Sequence, residues 1–340
     1  MSTVYFTRTK SDDFSFLSKV AKGMVEQLVF DTNFKFNQHV PLKVHFGEKG
    51  NKTFIPASAF DGIIDFLNEK GVETSFIETN VLYGGERMQK ASHISLAKKH
   101  GFTRLPIIIA DGEIGENYYE QEINQRFFKS CKLGSEFKNF SQMVVCSHFK
   151  GHIVAGFGGA LKQLAMGCAA RGGKLAQHAK MCPMVNKSKC MACGECIAKC
   201  GASAISVKDR VALIHKELCI GCAGCIAVCQ YGAIGHDWGA DNFLEKLAEY
   251  AFAANINKNH IFVNFVTNIT KDCDCMGHDM KPIAENVGIM VSLDPVAIDT
   301  ASLDVLQKES NSNLFEIGRK TLEYSEEMGV GIRKYSLNIL

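Results

Sequence analysis

Eight of the fourteen cysteines fall in two quartets, Cys190, Cys193, Cys196 and Cys200, then Cys219, Cys222, Cys225 and Cys229. Each quartet is spaced C-x2-C-x2-C-x3-C, and the second repeats the first after 29 residues. The pairs Ile197/Ile226, Ala198/Ala227, Ala204/Ala233 and Ile205/Ile234 are identical across the repeat. Three thiolates on one tight loop can wrap three irons of a four-iron cubane, while the fourth, on the short helix that follows, points away. Zinc ribbons also use paired C-x2-C steps, but they need only two, well separated, and would leave the third step and the C-x3-C without use. The spacing therefore points to two [4Fe-4S] clusters.

In two-cluster ferredoxins the fourth cysteine of each run ligates the other cluster. On that pattern one cluster takes Cys190, Cys193, Cys196 and Cys229, and the other takes Cys219, Cys222, Cys225 and Cys200. The small residues Ala192, Gly194, Gly221, Ala223 and Gly224 leave room for inorganic sulfide, and Ile197, Ile205, Ile226 and Ile234 would form a dry shell. Gly201 and Gln230 stand where such runs usually carry proline. That proline stiffens a turn and is not a ligand.

Outside the quartets, Cys273 and Cys275 flank Asp274 and follow Asp272. Two thiols one residue apart can chelate one metal, with the carboxylates adding oxygen ligands. Without a metal the carboxylates would raise the thiol pKa values. His178 and Cys182 would share a helical face, and Cys146, His148 and His152 lie in one short segment. Together with Cys273 and Cys275 these residues could assemble a third metal site. Gly156, Gly158 and Gly159 lead into a helix, with Lys162 or Lys150 as counter-charge, so a generic anion site is a further expectation. The third glycine of a dinucleotide fingerprint and the Gly-Lys-Ser/Thr ending of a P-loop are both missing. Cys168 lies on an apolar stripe and reads as core, and Cys131 as an isolated thiol.

The elements that must position these groups alternate. Strands are expected over residues 4–7, 40–46, 72–78, 105–110 and 143–146, and helices over 15–28, 56–68 and 86–99. Another helix should follow the glycines and stop at Gly172-Gly173. Residues 115–139 show no clear period and read as an irregular excursion. After the quartets come a helix over 241–254, strands over 261–266 and 287–291, and a helix from 294 to about 308. Strand and helix in alternation predict an α/β host with a largely parallel sheet. Its two parts, residues 1–185 and 236–340, are interrupted by a small α+β cluster-binding insert at 186–235.

The chain has 340 residues, 46% apolar and 22% charged, with net charge +2. No charge run suggests nucleic acid, and no apolar run suggests a membrane span. With no leader pattern visible, the cysteines indicate metal or redox chemistry in the cytoplasm and not disulfides.

Several segments carry a family likeness: Asn80-Val81-Leu82-Tyr83, residues 147–152, Gly156 to Lys162, Met166 to Ala169, Gly173 to His178, residues 272–275 and residues 294–299. In these the chain resembles the iron-sulfur centre proteins that carry domain of unknown function 362, with a bacterial-type two-cluster ferredoxin inserted. The resemblance implies cluster binding and weight on His148, His152, His178, Cys273 and Cys275, and it implies no particular reaction. The first functional expectation is low-potential electron transfer, the host docking a redox partner protein. The second is an oxidoreductase in which the clusters feed a third metal or small-molecule substrate site at Cys273/Cys275. A zinc-holding or structural protein is the third.

Overall fold

A computed structural model describes residues 1–178, 182–236 and 241–340. In chain order it opens with β1 (Ser2–Arg8), α1 (Phe14–Thr32), β2 (Leu42–Lys43), α2 (Asp61–Glu69), β3 (Phe76–Glu78), α3 (Lys90–Lys99) and β4 (Ile107–Ile109). A hairpin of β5 (Tyr118–Glu122) and β6 (Ser130–Gly134) precedes β7 (Val144–His148). A second hairpin, β8 (Lys150–His152) and β9 (Gly156–Gly158), leads into α4 (Ala160–Cys168) and α5 (Arg171–His178). The cysteine-rich segment holds β10 (Met184–Val185), α6 (Glu195–Ala198), β11 (Ile205–Lys208), β12 (Val211–Ile214), α7 (Gly224–Val228) and β13 (Ile234–Gly235). The chain closes with α8 (Phe243–Asn255), β14 (Ile261–Val266), β15 (Gly288–Ser292), α9 (Pro295–Ser310), α10 (Arg319–Glu327) and β16 (Tyr335–Ile339).

Eight strands form one sheet in the order β16-β1-β15-β14-β7-β2-β3-β4. Five of its seven pairings are parallel, which makes it a largely parallel sheet in a mixed α/β fold. The two antiparallel pairings both involve β15. Alternate residues feed two cores: Val145 and Phe262 pack under α4, α8 and α9, whereas Val144 and Val263 pack under α1 and α2. Such burial on both faces explains why every residue of β14 is buried, Asn264 by donating to Asp299 and Ser302. Asp294 opens α9 by accepting from the N–H groups of Val296 and Ala297, with Pro295 already at helical φ.

Several expectations are corrected. Residues 115–139 are not irregular but contain the β5–β6 hairpin, whose Cys131 and Leu133 alternate into the core. Gly172 and Gly173 do not stop a helix; they lie inside α5, after α4 has ended at Cys168. A Cβ on Gly172 would stand 2.7 Å from the Gly221 carbonyl oxygen, so the glycine serves a close helix-to-loop approach. The strand expected over 40–46 shrinks to two residues, because the chain leaves the sheet beyond Lys43. No helix among the described residues is long and apolar enough to cross a membrane.

The cysteine-rich segment begins and ends on one antiparallel pair, Met184 opposite Gly235 and Val185 opposite Ile234. Between them β11 and β12 form a hairpin, and α6 and α7 each follow a left-handed turn. Its apolar centre gathers Cys196, Ile205, Ala212, Ala223, Ile226 and Ile234 with Leu82 and Leu175 of the host.

Candidate functional site

β2, β3, β7 and β14 run parallel and end at the same edge, where open α/β sheets collect ligands. The chain beyond each strand supplies one wall of a cavity of about 420 Å³. His45 follows β2, Thr79, Val81, Leu82, Tyr83 and Arg87 follow β3, His152 to Val154 follow β7, and Cys273 with Cys275 to Gly277 follow β14. Lys162 and Met166 of α4 and Lys174 and His178 of α5 close the remaining side.

The cavity floor is ionic. Lys43 Nζ and Glu78 lie 2.8 Å apart, both buried, and Arg87 reaches the other Glu78 oxygen at 3.6 Å. Arg87 also contacts His45 Nε2 at 2.7 Å and donates to His93 Nε2 at 3.3 Å. Cys273 meets Lys162 Nζ at 3.7 Å. A hydrogen bond with Cys275, aided by Lys162 and Lys150, holds the Cys273 thiol well below its usual range, and the same bond drives Cys275 up. The flanking carboxylates were expected to raise both thiols. Asp274 does raise Cys273, but it is neutralised by His148 at 3.0 Å and Lys150 at 3.1 Å and is outweighed by the Cys275 hydrogen bond and the two lysines.

The candidate metal ligands part company. His148 has both ring nitrogens facing oxygen, Nδ1 on Asp274 and Nε2 on the Thr267 carbonyl at 2.8 Å, so neither lone pair is left for a metal. Cys146 is buried on the opposite face of the sheet. Cys182 sits by Cys219, not by His178, and residues 179–181 between them lie outside the described residues. His152, His178, Cys273 and Cys275 do share the cavity. His152 accepts from the Val154 and Ala155 N–H groups through Nδ1, and both His152 and His178 stack on Phe243. Burial keeps both imidazoles neutral, His178 at about 3. Among the described residues no three or more His, Cys, Asp or Glu side chains converge on a metal ion, so the expected third metal centre finds no ligand set.

The expected anion site at Gly156, Gly158, Gly159 and Lys162 is already filled by the protein. Asp299 accepts from the N–H groups of Ala160 at 2.8 Å and Leu161 at 2.9 Å. A Cβ on Gly159 would collide with that carboxylate, while Gly156 and Gly158 belong to the β8–β9 hairpin.

The two quartets line two separate small cavities. Cys190, Cys193, Cys196 and Cys229 surround one, and Cys200, Cys219, Cys222 and Cys225 the other. Each set takes three thiols from one run and the fourth from the other. Backbone N–H groups point at sulfur: Ala212 to Cys190 at 3.4 Å, Ala204 to Cys200 at 3.3 Å and Ala233 to Cys229 at 3.2 Å. The last two bonds are repeat mates, and so are the positive-φ residues Ala192 and Gly221, and Gly194 and Ala223. As free thiols the buried members resist ionisation, with burial and neighbouring sulfurs driving Cys225 to about 12. A four-iron cubane spreads its thiolates around a body instead of gathering them on a point, and sulfurs that receive N–H bonds inside an apolar shell suit it. The residues present therefore fit such a group.

The sequence reading missed Arg87, Glu78, Arg171 and Lys174. Lys174 lies inside a motif already singled out, but a lysine followed by Leu-Ala-Gln reads as an ordinary helix surface. Only the fold turns it inward, leaving it almost fully buried.

The sequence model described as Domain of unknown function (DUF362) matches residues 40–304. No curated protein matches the chain. Among solved structures, a Thermotoga maritima protein crystallised by a structural genomics consortium is similar at 12% identity, with a TM-score of 0.44. The match covers 95% of this chain and 61% of that one, so the chain spans less than two thirds of that protein's length.

Proposed function

The chain belongs to the DUF362 family, and on that premise we propose that it is an iron-sulfur oxidoreductase. Residues 186–235 would hold two [4Fe-4S] clusters as a ferredoxin-like unit, and the host cavity would take a small-molecule substrate. When bound, the clusters supply single-electron steps at low potential. The chain's own residues do the rest.

The reading rests on α5, which serves both regions. Arg171 and Gly172 face the loop of the second quartet, where the Cβ position of Gly172 is 3.2 Å from Cys222 Cα. Lys174 and His178, on the same helix, line the cavity. Leu82 lines the cavity too, and it packs in the apolar centre that holds Cys196 and Ile226. Within the cavity, the Cys275 hydrogen bond, with Lys162 and Lys150, keeps Cys273 ionisable, neutral His152 and His178 can hold or pass a proton, and the apolar walls exclude water.

A carrier that docks a redox partner is the second reading. It is favoured by the exposed Met191, Leu218, Ile220 and Tyr231 around the quartets.

The test is iron and acid-labile sulfide per chain on anaerobically prepared protein, about eight of each being expected for two cubanes. Zinc in place of iron would refute both readings. The double variant Cys273→Ser/Cys275→Ser should keep its iron. If it reduces an external acceptor as well as wild type but loses a substrate-dependent signal, the enzyme stands. If no small molecule perturbs either protein, the carrier stands.

A further inference from the structure

Two ammonium groups face the cavity with no carboxylate within salt-bridge distance among the described residues. Lys162 Nζ has Cys273 Sγ at 3.7 Å, and Lys174 donates to Thr79 Oγ1 and to the Ala169 carbonyl oxygen, the latter at 2.7 Å. The other nearby cations are spent. Lys43 is on Glu78, Arg87 on Glu78 and His45, and Lys150 on Asp274. Asp111 and Glu78 support Lys174 only from beyond salt-bridge distance, and withdrawing an ammonium from water without a directly paired counter-ion is costly. Burial pushes Lys174 down to about 8, which still leaves it mostly cationic at neutral pH.

The remaining wall is apolar, formed by Val81, Leu82, Ile153, Val154, Met166 and Met276. Ile153 is 86% exposed at the tip of the β8–β9 hairpin, so an apolar side chain stands at the cavity mouth with little to cover it. The cavity thus offers a positive side and a larger greasy side. Its volume lies within the usual range for small-molecule sites, roughly 300–1,000 Å³.

We propose that the cavity binds a small organic carboxylate, with the acid group at Lys162 and Lys174 and the apolar body against Leu82, Ile153 and Met166. A phosphate would want a row of backbone N–H groups or a free guanidinium fork. The first-turn N–H groups of α4 are given to Asp299, and the Arg87 fork is occupied. Two point charges, with the Nε2 proton of His152 near Lys162, match two carboxylate oxygens better than three phosphate ones. The assignment rests on the enzyme reading only in making this ligand its substrate; the binding site stands on the cavity itself.

The experiment is calorimetric titration of the full chain with phenylacetate and hexanoate, each against its amide, and with phenyl phosphate. Both acids should bind at least about tenfold tighter than their amides and slow alkylation of Cys273 by iodoacetamide. Lys162→Met and Lys174→Met should each weaken the acids about tenfold or more and leave the amides unchanged. Lys174 is buried and its variant can fail to fold, in which case Lys162→Met, at a half-buried position, decides. Equal binding of acid and amide, no acid binding at about 10 mM by folded protein, or tighter binding of phenyl phosphate overturns the proposal. Iron and sulfide assayed on the same sample separate the two ideas. Iron-free protein that binds acids sinks the redox reading alone, and iron-loaded protein indifferent to acids sinks this one alone.

Discussion

Lys162 Nζ stands 3.7 Å from Cys273 Sγ, although 111 residues separate them in sequence. The hydrogen bond between Cys273 and Cys275 divides the pair into one thiol that ionises readily and one that does not, and Lys162 adds to the ease with which Cys273 ionises. Iodoacetamide should therefore modify Cys273 before Cys275, at pH values where an ordinary thiol is inert. Lys162→Met should move the inflection of the rate-pH profile upward and slow alkylation several-fold at neutral pH. Peptide mass mapping identifies the modified residue, and equal modification of both thiols would dismiss the asymmetry.

Asp299 and His260 make opposite contributions to acid stability. Burial raises Asp299 to about 6 despite its bonds to Asn264 and the α4 N–H groups. A carboxyl raised on folding contributes stability that is complete below its unfolded value of about 4 and is lost as pH rises through about 6. Burial lowers His260 to about 3, and its Nδ1 accepts from the Met143 N–H at 3.0 Å. The unfolded chain binds that proton below about pH 6.5, so stability drops as pH is lowered, by about 1.4 kcal/mol per unit. Between pH 6 and 4 the two slopes offset each other. Urea unfolding across that window should show Asp299→Asn with a steeper acid loss, by about one proton, and His260→Gln with a shallower one. Asp299→Asn should also lose about 1–3 kcal/mol above about pH 7, where the carboxylate is ionised, because two first-turn N–H groups then share a poorer acceptor.

Arg171 is fully buried at the start of α5, with Nε and Nη1 lacking hydrogen-bond partners among the described residues. The second quartet is its neighbour, since Cys222 and Cys225 both act on its charge. If the second quartet holds a cluster, a cation beside it favours that cluster's reduced form. Arg171→Met should lower the midpoint potential of one cluster and leave the other in place, read by redox titration with electron paramagnetic resonance. Two clusters shifted equally, or neither shifted, would remove Arg171 from that role.

Sequence legibility followed the length of the signal. The helices at α1, α8 and α9 and the strand β14 were visible because apolar periodicity or unbroken burial runs over many residues. The two-residue β2 was overextended, since Val44 and Phe46 are buried without being in the sheet. Gly172 misled because glycine marks both helix ends and tight packing, and sequence cannot tell the Gly221 carbonyl from solvent. α10 and β16 escaped notice, the first for its polar sequence and the second for its short alternation. At the site, the identity of Cys273 and Cys275 was legible, but the lysines that act on Cys273, Lys162 and Lys150, come from α4 and β8. A lysine's role depends on whether a carboxylate reaches it, and that is decided by tertiary packing.

The arrangement of the quartets makes the sharpest prediction. Cys229 lines the cavity of Cys190, Cys193 and Cys196, and Cys200 lines that of Cys219, Cys222 and Cys225. If two cubanes are bound in this crossed fashion, Cys190→Ala/Cys229→Ala removes two ligands from one cluster and none from the other. Iron should fall from about eight to about four per chain, with one intact cluster signal remaining. Cys190→Ala/Cys200→Ala also removes two ligands, but one from each cluster, and should compromise both. With each run serving its own cluster, the outcomes exchange: the first variant would damage both clusters and the second only one. Both variants lose the same number of thiols, so a general loss of folding would affect them alike, and only the wiring separates them.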